Sequence, residues 1–117
     1  MAIGAKLAIG RQPKLVLVTV RDEVVDVNPD SVTLSIEEKE EALWRCDDGD
    51  LEILFGPDDT PFSQHHFQAR GGEGCLSGVP LEGKNRREDQ PYKYTVKVTT
   101  PNSEQPLEKD PDVIVNK

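Results

Sequence analysis

Residues 92–99, YKYTVKVT, change character at every step. Successive side chains of a strand point to opposite faces. A strand with one buried face therefore gathers Tyr92, Tyr94, Val96 and Val98 on one side and Lys93, Thr95, Lys97 and Thr99 on the other. No helical spacing reproduces this pattern, so a sheet has to receive it. The same period of two recurs along the chain. SVTLSI (31–36) turns Val32, Leu34 and Ile36 inward; ALWRC (42–46) aligns Ala42, Trp44 and Cys46; LEILF (51–55) aligns Leu51, Ile53 and Phe55. KLVLVTV (14–20) is rich in β-branched residues and reads as buried on both faces, DVIV (112–115) closes the chain, and a weaker strand runs through His66 and Phe67.

Between these runs stand turn sequences: VNPDS, DDGD, GPDDTP, RGGEG and TTPNSEQP. One segment dissents. SIEEKEEALW has the composition of a helix, but the apolar period on both sides of it is two, which favours a short connection between strands. A chain of 117 residues builds one domain with one core. The expectation is an all-β fold, a Greek-key β-sandwich of about seven to eight strands. It occupies residues 14–117 and follows a flexible N-terminal segment, 1–13. The core expected from the alternation holds Leu15, Leu17, Val32, Leu34, Ile36, Trp44, Ile53, Phe55, Tyr94, Val96, Val98 and Ile114.

Charge narrows the list of partners. The net charge is −8, and a phosphate backbone needs a clustered basic surface. The one basic cluster, Lys84, Arg86 and Arg87, is flanked by Glu82, Glu88 and Asp89 and reads as a solvated loop. Nucleic acid is not expected as a partner. Lys6 and Arg11 interrupt the N-terminal apolar run before it reaches the length of a signal peptide, and no stretch approaches the length of a membrane helix. The expectation is a soluble cytoplasmic protein with no membrane contact. In that compartment Cys46 and Cys75 are free thiols; a disulfide between them is the alternative that spacing alone leaves open.

VNPDSVTLSIEEKEEALWRCDDGDLEILF resembles the N-terminal half of the cupredoxin-like sandwich, with Pro29, the alternating Val32-Thr33-Leu34, a turn at Glu37–Glu41 and the apolar pair Leu43-Trp44. PYKYTVKV and DPDVIV look like that family's two closing strands, and the resemblance spans roughly residues 14–116. It implies a cupredoxin-like fold. A copper cupredoxin takes one His from the region after the Trp strand, and a Cys, a second His and usually a Met from the loop between the closing strands. Here RCDDGDLEILF has no His, TTPNSEQPLEKD has no Cys, His or Met, and the single Met is Met1. The resemblance thus carries the fold without the copper ligands.

The remaining chemistry-bearing residues are few. FSQHHFQARGGEGC (62–75) holds both histidines, His65 and His66, and Cys75. Together with an acid such as Asp58 they form the one conceivable metal set, but adjacent strand residues diverge and no zinc spacing is present. Acidic Asp47, Asp48 and Asp50 oppose an activated Cys46, whereas Cys75 lies in a looser loop near Arg70. DDGD with Glu52 offers hard oxygens without an EF-hand spacing, RGGEG is a glycine loop with no helix after it, and GCLSG places its Ser one position late for a nucleophile elbow. The expectation is a non-catalytic binding or interaction module with no cofactor, whose partner is a protein or small molecule of unknown identity. The alternatives are a metal-binding or electron-transfer protein using His65, His66 and Cys75, and an enzyme with a reactive Cys75.

Overall fold

The structure, a computed structural model, describes residues 12–117. The N-terminal segment expected over 1–13 therefore lies, apart from Gln12 and Pro13, outside the described residues. Among those described the regular elements are ten strands: β1 (Lys14–Arg21), β2 (Val24–Asn28), β3 (Ser31–Ser35), β4 (Ala42–Cys46), β5 (Asp50–Phe55), β6 (His66–Ala69), β7 (Gly74–Leu76), β8 (Tyr92–Thr99), β9 (Leu107–Lys109) and β10 (Asp112–Asn116). The all-β sandwich-like fold expected from the alternation is present. The strands beyond the expected number are β2, β7 and β9. The helical composition of residues 35–44 is overridden: Ile36–Lys39 is a turn between β3 and β4, closed by the Lys39 amide donating to the Ile36 carbonyl at 3.0 Å.

Two mixed sheets face each other. The smaller has the order β2-β1-β4-β7, and the larger β3-β10-β8-β5-β6, with β9 also paired to β8. The chain crosses between them at Pro29 and Asp30, so that β2 belongs to one sheet and β3 to the other. Two pairs are parallel, β1 with β4 and β3 with β10. β1 and β2 form a hairpin whose two loop residues, Asp22 and Glu23, both have positive φ (54° and 63°), as the right-handed twist of a two-residue hairpin demands. On its β10 side β8 changes partner midway. Tyr92 and Lys93 pair with β10, Val96–Val98 pair with β9, and Pro111, which has no amide to donate, lies at the changeover and accepts from the Tyr94 amide at 3.1 Å.

The core lies between the sheets. Val16, Val18, Val25, Val27, Trp44 and Cys46 of the smaller sheet meet Leu34, Ile53, Phe55, Tyr94, Val96, Val98, Val113 and Val115 of the larger. Trp44, wholly buried, anchors an aromatic cluster. Its ring centroid lies 5.2 Å from Phe67, 5.6 Å from Tyr94, 6.2 Å from Phe55 and 6.3 Å from Phe62. Its indole N–H donates to the Tyr94 hydroxyl at 3.1 Å, which satisfies a donor that burial would otherwise strand.

Three expected core positions are corrected. Leu15 is 50% exposed and Leu17 half-buried, while Val16 and Val18 face inward; Ile114 is half-buried between inward Val113 and Val115. Residues 15–18 and 113–115 are short uninterrupted apolar runs, within which composition does not reveal which alternate set faces the core.

Candidate functional site

Two polar clefts that share lining residues form a continuous groove on the described surface. It begins on the outer face of the larger sheet, where β5, β6 and β8 lie side by side. Asp50 is opposite Thr99 and Glu52 opposite both Gln68 and Lys97, all on the outward alternates of their strands. There a cleft of about 440 Å³ is lined by Asp50, Glu52, Gln68, Arg70, Glu73 and Thr99. The groove turns round the end of the sandwich into a second cleft, of about 500 Å³, which shares Asp50, Arg70 and Thr99 and adds Asp47, Asp48 and Thr100.

The floor is built by close backbone approaches. A Cβ on Gly49 would sit 2.5 Å from the Thr99 carbonyl oxygen, and one on Gly71 would sit 3.3 Å from the Gly49 carbonyl oxygen. At Gly49 any side chain would force the segments apart, and at Gly71 one would fit only with a small shift of the neighbouring backbone. The loop is then tied down. The Gly71 amide donates to Asp50 Oδ1 at 3.0 Å, the Gly72 amide to the Cys46 carbonyl at 2.8 Å and the Glu73 amide to the Arg70 carbonyl at 2.9 Å. The glycine amides of RGGEG are spoken for within the fold and do not form an open anion cradle. Asp48 is engaged too, accepting from the Val20 amide at 2.8 Å. The Arg70 guanidinium forms no ion pair among the described residues and faces both clefts beside five carboxylates. The groove can therefore bind polar groups through hydrogen bonds, and its potential is negative.

The structure disperses the residues singled out in the sequence. His65 is exposed in the loop before β6, its carbonyl accepting from the Phe55 amide at 2.7 Å. His66 starts β6, and its Nε2 lies 2.8 Å from Glu52 Oε2 on the outer face of the larger sheet. Cys75 belongs to β7 in the smaller sheet, opposite Trp44, and packs toward the core. Asp58 is exposed in the loop after β5. Among the described residues no three His, Cys, Asp or Glu side chains are grouped to hold a metal ion.

Both cysteines are free. Burial pushes the Cys75 thiol up to about 11. Burial also raises Cys46, partly offset by the backbone amides of Asp48 and Gly49 and reinforced by the carboxylates of Asp48 and Asp47. Both are thiols rather than thiolates at neutral pH. Ser77 of GCLSG is buried and structural, accepting from the Ala42 amide at 2.9 Å and donating to the Gly78 carbonyl at 2.7 Å. In the basic cluster Arg86 pairs with Asp59 and lies 3.7 Å over the Tyr92 ring, and Arg87 pairs with Asp89 at 2.9 Å.

Gln68, Thr99 and Thr100 carry no motif, Arg70 enters the sequence reading only through RGGEG and as a neighbour of Cys75, and nothing in the sequence joins the four into a site. The available signal was alternation, which turns Glu52, Gln68 and Thr99 outward; the register that brings them together depends on which strands pair. Comparison with protein-family models finds no match for this chain, and comparison with curated proteins finds none either.

Proposed function

We propose that this chain is a non-catalytic binding module on a cupredoxin-like, Greek-key sandwich without a copper site, and that its groove recognises a cationic segment of a partner protein. The observation that carries the reading is the groove itself: five carboxylates and one unpaired guanidinium around an open, rigidly floored cleft. A partner's ammonium or guanidinium groups meet the carboxylates, and Arg70 with Gln68 takes a carbonyl or terminal carboxylate beside them. The net charge of −8 steers such a partner in. The two parallel strand pairs and the antiparallel closing strands β8 and β10 support the cupredoxin-like part. The protonated, inward Cys75 supports the non-catalytic part. Two free thiols suit a reducing, cytoplasmic setting.

The test is a nitrogen–proton correlation titration with a hexalysine peptide in 150 mM NaCl. Shifts confined to Asp47–Glu52, Gln68–Glu73 and Thr99–Thr100, weakened by Asp50→Asn and altered by Arg70→Ala, are the expected result. Shifts spread over all acidic surfaces, or none in the groove, would refute the reading.

A further inference from the structure

The outer face of the smaller sheet carries leucines where a solvated face normally carries polar side chains. Leu15 on β1 is paired with Leu43 on β4, and Leu43 with Leu76 on β7, so the three stand in one row across three adjacent strands. All three point outward. Leu15 and Leu76 are 50% and 51% exposed, their chain neighbours Val16 and Cys75 face the core, and Leu43 leans over Gly74, where an added Cβ would meet its Cδ1 at 2.7 Å. Side chains directly opposite on neighbouring strands touch, so this is a contiguous apolar patch rather than scattered leucines.

The rows on either side of the leucines show what fits it. On one side the outward positions are Leu17 on β1, Arg45 on β4 and Gly74 on β7, Leu17 being paired with Arg45 and Arg45 with Gly74. On the other side, just outside the strand ends, the chain places Pro13 before β1, Glu41 before β4 and, because β7 runs antiparallel, Gly78 after β7. A half-turn about the leucine row exchanges these two rows. It sets Leu17 against Pro13, Arg45 against Glu41 and Gly74 against Gly78, while each leucine meets its own copy. Apolar faces apolar, cation faces anion, and the two bare positions face each other. Among the described residues Glu41 has no ion pair, and the one ion pair of Arg45 is to an exposed neighbour, Asp47, at 3.0 Å. A surface that is self-complementary under a two-fold rotation in charge, size and polarity is the requirement of an isologous interface.

We infer that a second copy of this chain docks here, the two smaller sheets packing face to face about a two-fold axis along Leu15–Leu43–Leu76. The leucine row is argued without the groove, which lies on the other sheet and round the end of the sandwich; the two touch only where Arg45 pairs with Asp47, which also lines the groove. A patch of this size, with its polar rim, belongs to the small, reversible class of interfaces. Half-dimerisation is expected at a protein concentration on the order of 100 µM in 150 mM NaCl, where the mutual repulsion of two acidic chains is largely screened.

Sedimentation velocity over a concentration series reads this directly. Leu15→Lys and Leu76→Lys each replace a half-exposed side chain and should weaken the dimer at least tenfold; two variants guard against one failing to fold, which far-UV circular dichroism checks. Arg45→Glu and Glu41→Arg should each weaken it severalfold, because like charges then face each other across the axis. The double variant Arg45→Glu/Glu41→Arg should return to within about threefold of the wild type, since it restores both crossed pairs. A chain that stays monomeric up to roughly 1 mM, a dimer indifferent to both lysine substitutions, or a double variant no better than its worse parent would each overturn the inference.

Discussion

Replacing Tyr94 with Phe tests a single hydrogen bond at the centre of the core. Trp44 is fully buried, and its indole N–H donates to the Tyr94 hydroxyl at 3.1 Å. The Tyr94 ring is stacked on Phe55 with centroids 4.9 Å apart and planes 20° from parallel. Phe keeps that ring, its stacking and nearly all its volume, so the loss is confined to the hydroxyl. An indole nitrogen is a donor only and has no second way to be satisfied. A typical internal hydrogen bond contributes about 1 kcal/mol net, and leaving its partner buried and unpaired costs about 1–3 kcal/mol. Relief from desolvating the hydroxyl on folding offsets part of this, which leaves a loss of roughly 1–2 kcal/mol. Tyr92→Phe is the control. The Tyr92 hydroxyl donates at 2.7 Å to the carbonyl of Lys84, an exposed residue, so although the Tyr92 ring is buried solvent can take over the carbonyl, and about 0.5 kcal/mol is expected. Urea denaturation followed by Trp44 fluorescence and far-UV circular dichroism measures both. With an m-value of about 2 kcal/mol/M, Tyr94→Phe should lower the midpoint by about 0.5–1 M at unchanged m. A loss below about 0.5 kcal/mol, or a larger one for Tyr92→Phe, would show that the indole is not held by Tyr94 in solution.

Three further expectations follow from the same geometry. Gly49→Ala would place a Cβ 2.5 Å from the backbone oxygen of Thr99 and force β5 and β8 apart at the groove, so a loss of roughly 1–3 kcal/mol is expected in the same urea assay. Replacing Asp22-Glu23 with Asn-Gly relieves two left-handed non-glycine residues (φ 54° and 63°) in the hairpin turn and should stabilise by about 1 kcal/mol, seen as a rise in Tm. Alkaline pH should destabilise. Cys75 ionises near its ordinary value of 9.0 when unfolded but only at about 11 when folded, so the stability its protonated form contributes is complete below about pH 9 and lost as pH rises toward 11; denaturation midpoints at three pH values check this, and Cys75→Ala should flatten the dependence.

Legibility followed the pattern available in each segment. YKYTVKVT declared its own inward set, and the structure buries Tyr92, Tyr94, Val96 and Val98 as that alternation requires. DVIV has no polar residue between its apolar ones, so Ile114 looked as good a core residue as its neighbours. The pairing of Val113 with Val32 and Val115 with Leu34 turns the two valines inward instead. β7 and β9 have three residues each, too few to show a period, and exist because a neighbouring strand offers free hydrogen-bonding groups. The groove was hidden for a related reason. Gln68 and Thr99 are unremarkable polar residues on their own strands, and become one wall only because β6 and β8 both pair with β5.

The register of β1 makes the same point with more consequence. The unbroken apolar run LVLV (15–18) within KLVLVTV has two physical readings: both faces buried, or one face buried and the other exposing hydrocarbon. Composition does not separate them, because each single strand looks alike in the two cases. What separates them is whether the outward residues of neighbouring strands are apolar in the same row. Leu15, Leu43 and Leu76 come from three distant segments, and each taken alone is an ordinary exposed leucine of the kind every surface carries. Aligned by the β1–β4 and β4–β7 registers they become a stripe, with Arg45 and Glu41 at equal distances on its two sides. The expectation that Leu15 is a core residue therefore failed in its particulars, since no layer of this chain covers it among the described residues. The physical impulse behind it, that such a leucine row belongs against another apolar surface, is what Ile114→Ala and Leu15→Ala can separate. Ile114 is half-buried within its own chain, so its truncation should lower stability by about 1 kcal/mol at any protein concentration. Truncating Leu15 should leave the dilute chain within about 0.5 kcal/mol of wild type and lose more as concentration rises, because the surface it stabilises is then shared between two molecules. A Leu15→Ala loss that is large and independent of concentration would mean that its partner lies within the same chain.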